Sequence, residues 1–338
     1  MSAKEHPSAD LPSPQEFRAA FEALEEEIGK VVIGHRTAIR QILVGFFAGG
    51  HVLIEGVPGI GKTLIVCSLA EALDLDFARI QFTIDLMPAD VTGTRTVQQS
   101  VDGSRSMEFE PGPVFTNILL ADEINRATPK TQSALLEAMA ELQVTTSGKT
   151  HLLPSPFFVL ATLNPIEMEG TYPLPEAQLD RFLFKVPLAY PSIEEIRAIV
   201  HETTGSSPAA IEPVLGEAST DRAIKLRSLV REVLVAPEVE TYAARIVRET
   251  IPDVTENDGV KNYVSFGSSP RGAQALILGA KVLALLDGRV NVSFADVEEI
   301  APIALAHRVV PNFAAQTDGV TPLAILEDLI QKARKWPR

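Results

Sequence analysis

The run Gly56-Val57-Pro58-Gly59-Ile60-Gly61-Lys62-Thr63 constrains this chain more than any other feature, because of what flanks it. A short apolar segment, His51-Val52-Leu53-Ile54-Glu55, leads straight into it, and a helical run from Leu64 to Leu73 follows. The spacing G-x-x-x-x-G-K-T between a strand and a helix is that of a P-loop. Its glycines let backbone N–H groups wrap a polyphosphate, and the helix N-terminus adds positive potential. In this reading Val57, Pro58, Gly59, Ile60, Gly61, Lys62, Thr63 and Leu64 bind ATP. Lys62 pairs with the β and γ phosphates, and Thr63 holds Mg²⁺. A chance glycine-rich turn is the alternative, and it leaves the strand before and the helix after unexplained.

The remaining pattern fits a sheet built around that loop. Ser13-Pro14-Gln15-Glu16 combines a Ser cap, Pro at the first helical position and a Glu that completes a capping box. Phe17, Phe21, Leu24 and Ile28 then recur at helical spacing. Gly29 and Gly34 bracket Lys30 to Ile33, and a second helical pattern runs through Ile39, Ile42, Leu43 and Phe46. Strands are predicted near Phe77 to Phe82, Ile118 to Ala121, Phe157 to Thr162 and Phe182 to Val186. Their alternation with helices implies an α/β fold with a mostly parallel sheet covered on both faces. Two insertions, Val97 to Glu110 around Asp102-Gly103 and Leu142 to Leu153 around Ser147-Gly148, read as β-hairpins with polar tips. Tyr190-Pro191-Ser192-Ile193-Glu194-Glu195 ends the last strand and opens a helix with another capping box. Beyond it Leu226, Leu229, Val230 and Val233 form one helical face, and Ala275, Leu276, Leu278, Val282 and Leu285 another. The expected division is a flexible start over 1–12, a nucleotide-binding core over 13–189 and a helical second domain over 190–338.

Four further positions carry candidate chemistry. Ile118-Leu119-Leu120-Ala121-Asp122-Glu123 is an apolar strand with two acids at its carboxyl end, where open parallel sheets bind ligands. Asp122 is placed to hold Mg²⁺ through water and Glu123 to polarise the attacking water; a solvated turn is the plain alternative. Asn164 follows the strand Phe157 to Thr162, and its amide can orient water for phosphoryl transfer. An Asn before Pro165 is equally a common turn. Arg181 stands just before the last strand, and Arg271, in Ser269-Pro270-Arg271, opens a helix of the second domain. A cation at a helix N-terminus opposes the dipole and asks for an anion. A phosphate satisfies that demand and so does an ordinary carboxylate; spacing alone does not choose.

Composition narrows the function classes. No stretch approaches the ~20 apolar residues of a membrane helix, so no membrane insertion is expected. Met1 to Pro14 is polar and Pro/Ser-rich, without the basic end and apolar segment of a secretory signal, so a cytoplasmic location is expected. Cys67 is the single cysteine, which excludes an internal disulfide and a multi-thiolate zinc site, and it reads as a core residue. With 44 acidic against 30 basic residues, the formal net charge of −14 repels polyanions. The basic residues of the hairpins, Arg95, Arg105 and Lys149, are scattered, so no nucleic acid partner is expected.

Longer stretches resemble a known family. Glu55 to Thr63, Arg79-Ile80-Gln81-Phe82-Thr83, Leu120-Ala121-Asp122-Glu123-Ile124-Asn125-Arg126-Ala127 and Glu169 to Phe182 together resemble the MoxR-type AAA+ ATPases, relatives of the ATPase subunit of magnesium chelatase. The likeness runs from about Val32 to about Arg271, and its last two stretches are more specific than a P-loop. It implies an AAA+ α/β core with an all-helical lid, assembled as a homo-hexameric ring with each nucleotide at a subunit boundary. By that likeness Val32, Ile33 and Gly34 line the adenine pocket, Asn164 is sensor 1, Arg271 is the lid's sensor 2, and Arg181 is the arginine finger given to the next subunit. The hairpins become the helix-2 insert and the presensor-1 hairpin. Ile84 and Leu163 depart from the family pattern, and neither touches a phosphate ligand. The implied activity is ATP hydrolysis that remodels or activates protein partners, often one with a von Willebrand factor A domain. A nucleic-acid-stimulated motor and a non-hydrolysing nucleotide switch are the alternatives; the acidic charge speaks against the first and Glu123 against the second.

Overall fold

The structure is a computed structural model and describes residues 11–99, 105–146, 148–164, 171–205 and 210–336. In chain order the first elements are α1 (Pro14–Val31), α2 (Arg36–Ala48), β1 (Val52–Glu55), α3 (Lys62–Leu73), β2 (Phe77–Gln81), α4 (Pro88–Thr92), β3 (Gly93–Gln99), β4 (Arg105–Pro111) and β5 (Ile118–Asp122). A 3-10 turn, Ile124–Arg126, precedes α5 (Pro129–Glu141), β6 (Gln143–Thr146), β7 (Lys149–Leu152), β8 (Phe158–Leu163), α6 (Glu176–Leu179) and β9 (Phe184–Pro187). The second part holds α7 (Ile193–Thr204), α8 (Ser219–Glu232), α9 (Pro237–Glu249), α10 (Asp258–Tyr263), β10 (Val264–Phe266), α11 (Pro270–Leu286), α12 (Phe294–Leu305), β11 (Val310–Pro311), α13 (Phe313–Asp318) and α14 (Pro322–Ala333).

The capping chemistry acts where the sequence places it. Ser13 accepts from the Glu16 N–H and Glu16 returns the bond, and Ser192 and Glu195 do the same for α7. Gly29 does not break α1, which runs on to Val31: one glycine costs about 1 kcal/mol, less than the buried face from Phe17 to Ile28 secures.

Five strands form a parallel sheet in the order β2-β5-β8-β1-β9. Because all run the same way, their carboxyl ends share one edge. The P-loop leaves β1 there, Asp122 ends β5, and Asn164 follows β8, which lies between those two strands. The opposite edge carries the residues that enter β1 and β9, namely Gly49 to His51 and Asp180 to Leu183.

On one face α1, α2 and α3 pack a cluster of apolar side chains that continues into α8, α9, α11, α12 and α14, so the interior is unbroken across residue 189. Gly45 lets α2 lie close on β1; a Cβ there would come within 2.4 Å of the Val52 side chain. The other face packs α5 with Phe82, Val91 and Phe182. The hairpins are real: β3 pairs with β4 from Gly93↔Pro111, four residues before the predicted start, and β6 pairs with β7. The predicted tip Asp102-Gly103 and Ser147 lie outside the described residues. Phe109 of β4 stacks on His151 of β7 at 4.0 Å between ring centroids, joining the two hairpins. The lid is helical but also contains a short antiparallel ladder, β10 with β11, that the apolar pattern does not announce.

Candidate functional site

At the carboxyl edge the P-loop is shaped for an anion. Gly59 and Gly61 sit at φ +81° and +93°, and nothing lies within 4 Å of where a Cβ would be. α3 starts without a side-chain cap and without an acid in its first turn, so its leading N–H groups face an open cradle. Lys62 donates to the Gly56 carbonyl at 2.7 Å and reaches the Leu163 carbonyl at 3.5 Å, which curls its ammonium back over the loop. A second tie fixes the loop from behind: the His35 ring Nε2 lies 3.0 Å from the Ile60 carbonyl oxygen. Val32 is buried, Ile33 is half-buried and Gly34 takes φ +84°, with Glu195 of α7 packed against it. Thr63 is half-buried beside Lys62, and Leu64 is 44% exposed.

The two acids stand next to this cradle, and each is already held. The Asp122 carboxylate accepts from the Thr162 hydroxyl at 2.7 Å and from the Arg79 guanidinium at 2.8 Å. Glu123 lies at φ +56°, a conformation costly for a residue with a Cβ, and its N–H donates to the Thr162 hydroxyl. Its carboxylate accepts from Gln81 and from Arg126, each at 2.8 Å. Asn164 is buried between P-loop and acids. The described residues contain no cluster of three or more metal-ligating side chains. Thr63 and Asp122 offer a hydroxyl and a carboxylate, a donor set that fits Mg²⁺, which takes one or two protein ligands and fills its octahedron with phosphate and water.

Arg181 and Arg271 are elsewhere. Arg181 precedes β9, at the opposite edge of the sheet, and donates to the Leu136 carbonyl at 2.8 Å. Arg271 lies with it: its guanidinium is 3.3 Å from Asp180, which also accepts from Ser269 at 2.8 Å. The same Asp180 pairs with Arg308, buried, at 2.8 Å. Arg308 further donates to the carbonyls of Asp180, Phe182, Leu183 and Ala304, pinning the lid to the entrance of β9. Thus Lys62, Thr63, Asp122, Glu123 and Asn164 gather at the carboxyl ends of the strands, and Arg181 and Arg271 form a second group at the opposite ends.

Sequence reasoning gave no role to Arg79, Gln81, Thr162, Asp180 or Arg308. Arg79 and Gln81 alternate on β2, so both point to the side of the acids; that alternation was a usable signal. For Arg308, a lone arginine inside the apolar run from Ile303 to Val310 was another.

Comparison with known proteins shows the family and the fold. The sequence model described as "ATPase family associated with various cellular activities (AAA)" matches residues 51–184, and that of the "AAA lid domain" matches 257–329. The chaperone MoxR1 of Mycobacterium tuberculosis is 44% identical over 90% of this chain and 79% of its own length. Protein MoxR of Methylorubrum extorquens is 31% identical over 87% of this chain and 88% of its own. A solved crystal structure from Cytophaga hutchinsonii, described as a candidate ATPase, superposes with a TM-score of 0.85 at 38% identity, covering 94% of this chain and 96% of that one.

Proposed function

The chain belongs to the MoxR-type AAA+ ATPases, and from that premise we propose that it hydrolyses ATP with Mg²⁺ as a head-to-tail ring, a homo-hexamer, that remodels or activates a protein partner. One observation carries the reading: the phosphate cradle and the arginine pair lie at opposite edges of one parallel sheet. A chain so built has half a site at each end, and a heterologous contact between copies joins the halves and closes as a ring.

In that ring the P-loop N–H groups and Lys62 hold the phosphates of ATP, and Thr63 and Asp122 are the residues that would hold Mg²⁺. The metal, when bound, neutralises charge on the phosphates. Glu123 orients and deprotonates the water, and Asn164 fixes it from the side. For Glu123 to act, its carboxylate must leave Gln81 and Arg126. Arg181 and Arg271 of the next copy meet the charge that develops on the γ-phosphate. Exposed Val97, Met107 and Leu152 on the hairpins favour a protein over a nucleic acid as the partner, and the family resemblance points to one with a von Willebrand factor A domain.

The test is steady-state turnover per subunit against protein concentration. It should rise as rings form, and Arg181→Ala should lower kcat by about a thousandfold or more while ATP binding persists. Glu123→Gln should bind ATP and release no phosphate. Turnover that is independent of concentration and indifferent to Arg181→Ala would sink the proposal.

A further inference from the structure

The two hairpins meet on one side only, and that side is chemically unlike the other. In the ladder of β3 with β4, directly opposite residues share a side and neighbours along a strand alternate. Arg95, Val97, Arg105, Met107 and Phe109 therefore lie on one side, and Thr94, Thr96, Glu108 and Glu110 on the other. Phe109 turns the first side toward β7: its ring lies 4.0 Å from that of His151 and within 22° of parallel. Phe115 packs edge-on against both rings at the base of the hairpins. Lys149 stands two residues from His151 on β7 and so shares its side. Arg95, Arg105 and Lys149, scattered along the sequence, thus come to the two sides that face each other. Among the described residues those sides carry no carboxylate, and the three cations make no ion pair.

On a chain of net charge −14, a ribbon with its cations on one side and its carboxylates on the other attracts an anionic partner to the first side alone. Between the rungs of Arg95 and Arg105 stands an apolar one, Val97 opposite Met107, 61% and 56% exposed. The partner must therefore offer apolar surface as well as negative charge. Nucleic acid meets the second demand poorly served by the first. Three cations fall short of the clustered basic surface that phosphate tracking needs. Bases also bind single-strand grooves by stacking on aromatic rings, whereas Phe109 and His151 are half-buried against each other and the exposed rung is aliphatic and thioether. A polypeptide meets both demands.

We propose that this side of the hairpins docks an extended acidic segment of the partner, in which carboxylates alternate with an apolar side chain. The docking rests on the reading above that the partner is a protein, and not on ATP turnover. Rungs two residues apart on the ladder are separated by about 6.8 Å. Arg95 and Arg105 thus stand about 14 Å apart, with Val97 and Met107 midway. An extended partner rises by the same ~3.4 Å per residue, so the matching pattern is acid-x-apolar-x-acid. Its carboxylates reach Arg95 and Arg105, or Lys149 from the facing hairpin, while the apolar side chain rests on Val97 and Met107. Methionine suits such a rung, because its flexible thioether adapts to apolar side chains of different shape. Glu108 and Glu110 repel the same segment from the back of the ribbon.

The experiment measures fluorescence anisotropy of a labelled peptide of Glu-Ser-Leu-Ser repeats as the full-length chain, without nucleotide, is titrated in. Binding should weaken about tenfold in Arg105→Glu and about threefold in Met107→Ser. It should stay within about twofold in Glu108→Gln, on the other side of the ribbon. All three positions are exposed, so the fold tolerates the changes. A peptide of the same composition, with its Glu and Leu in separate blocks, should bind about fivefold more weakly. The proposal is overturned by no saturable binding up to about 1 mM, by equal binding of the block peptide, or by Arg105→Glu and Met107→Ser that both stay within about twofold of the parent. Single-stranded oligothymidylate that binds more tightly than the peptide, with the same dependence on Arg105, would overturn it in favour of a nucleic acid. Since no turnover is read, loss of the docking leaves the ring and its arginines standing, and turnover indifferent to Arg181→Ala leaves the docking standing.

Discussion

Replacing Asp180 by Ala strips a buried guanidinium of its carboxylate, and the cost can be worked from the contacts. The Arg308 side chain is 2% exposed and Asp180 15%. Breaking such a pair leaves an uncompensated charge, typically about 3–5 kcal/mol. Arg308 keeps its bonds to the carbonyls of Asp180, Phe182, Leu183 and Ala304, which places the loss at the lower end, about 3 kcal/mol. At about 2–4 °C per kcal/mol, the melting temperature of the nucleotide-free chain should fall by about 6–12 °C in differential scanning calorimetry. Arg308→Met combined with Asp180→Ala removes both charges and should cost about 2 kcal/mol less than the sum of the single changes. Additive single effects, or an Asp180→Ala melting temperature within about 1 °C of the parent, would refute the account of how the lid is fastened.

Two further outcomes follow from buried or paired groups. His51 is buried with Nε2 facing the Met139 carbonyl and Nδ1 accepting the Val159 N–H, and burial holds its pKa at about 4 against an ordinary 6.5. The unfolded chain therefore takes up the proton first: the contribution of His51 is complete above pH 6.5 and is lost as the pH falls towards 4. Urea unfolding should show about 2 kcal/mol lost from this group between pH 7.5 and pH 5; an unchanged slope in His51→Gln would exclude it as the cause. Arg79→Ala frees the Asp122 oxygen that the guanidinium covers at 2.8 Å. The pair is half exposed, so the Mg²⁺ concentration for half-maximal binding of fluorescent ADP should drop only about two- to fivefold; a rise would show that Arg79 assists the metal.

What the sequence made legible was whatever is encoded within a few neighbouring residues. The P-loop, both capping boxes, the strands and the two hairpins depend on local spacing, and each is found within a few residues of its expected place. The strand order is not local: that β8 inserts between β5 and β1, and so brings Asn164 between the loop and the acids, follows from packing of the whole sheet. The same holds for Arg271. Its position at the start of α11 was readable, but its contact with Asp180 depends on where the lid docks, and Arg308 and Asp180, 128 residues apart, help to fix that. Arg79 and Gln81 were visible as a motif; their partners, Asp122 at the end of β5 and Glu123 just after it, are visible only once β2 lies beside β5.

The stack of Phe109 on His151 makes one lever of two hairpins. α5 starts just after the turn that follows Glu123 and ends at Glu141, immediately before the second hairpin, a stiff rod of 13 residues, about 20 Å long. Gln132 anchors the near end by donating to the carbonyls of Ile124, Ala127 and Tyr172. A shift of the acidic turn as Glu123 leaves Gln81 and Arg126 would travel along this rod to β6 and β7, and the ring contact at 4.0 Å would carry it into β3 and β4. The hairpins that carry the exposed Val97, Met107 and Leu152 would then shift together, tied to the state of one carboxylate.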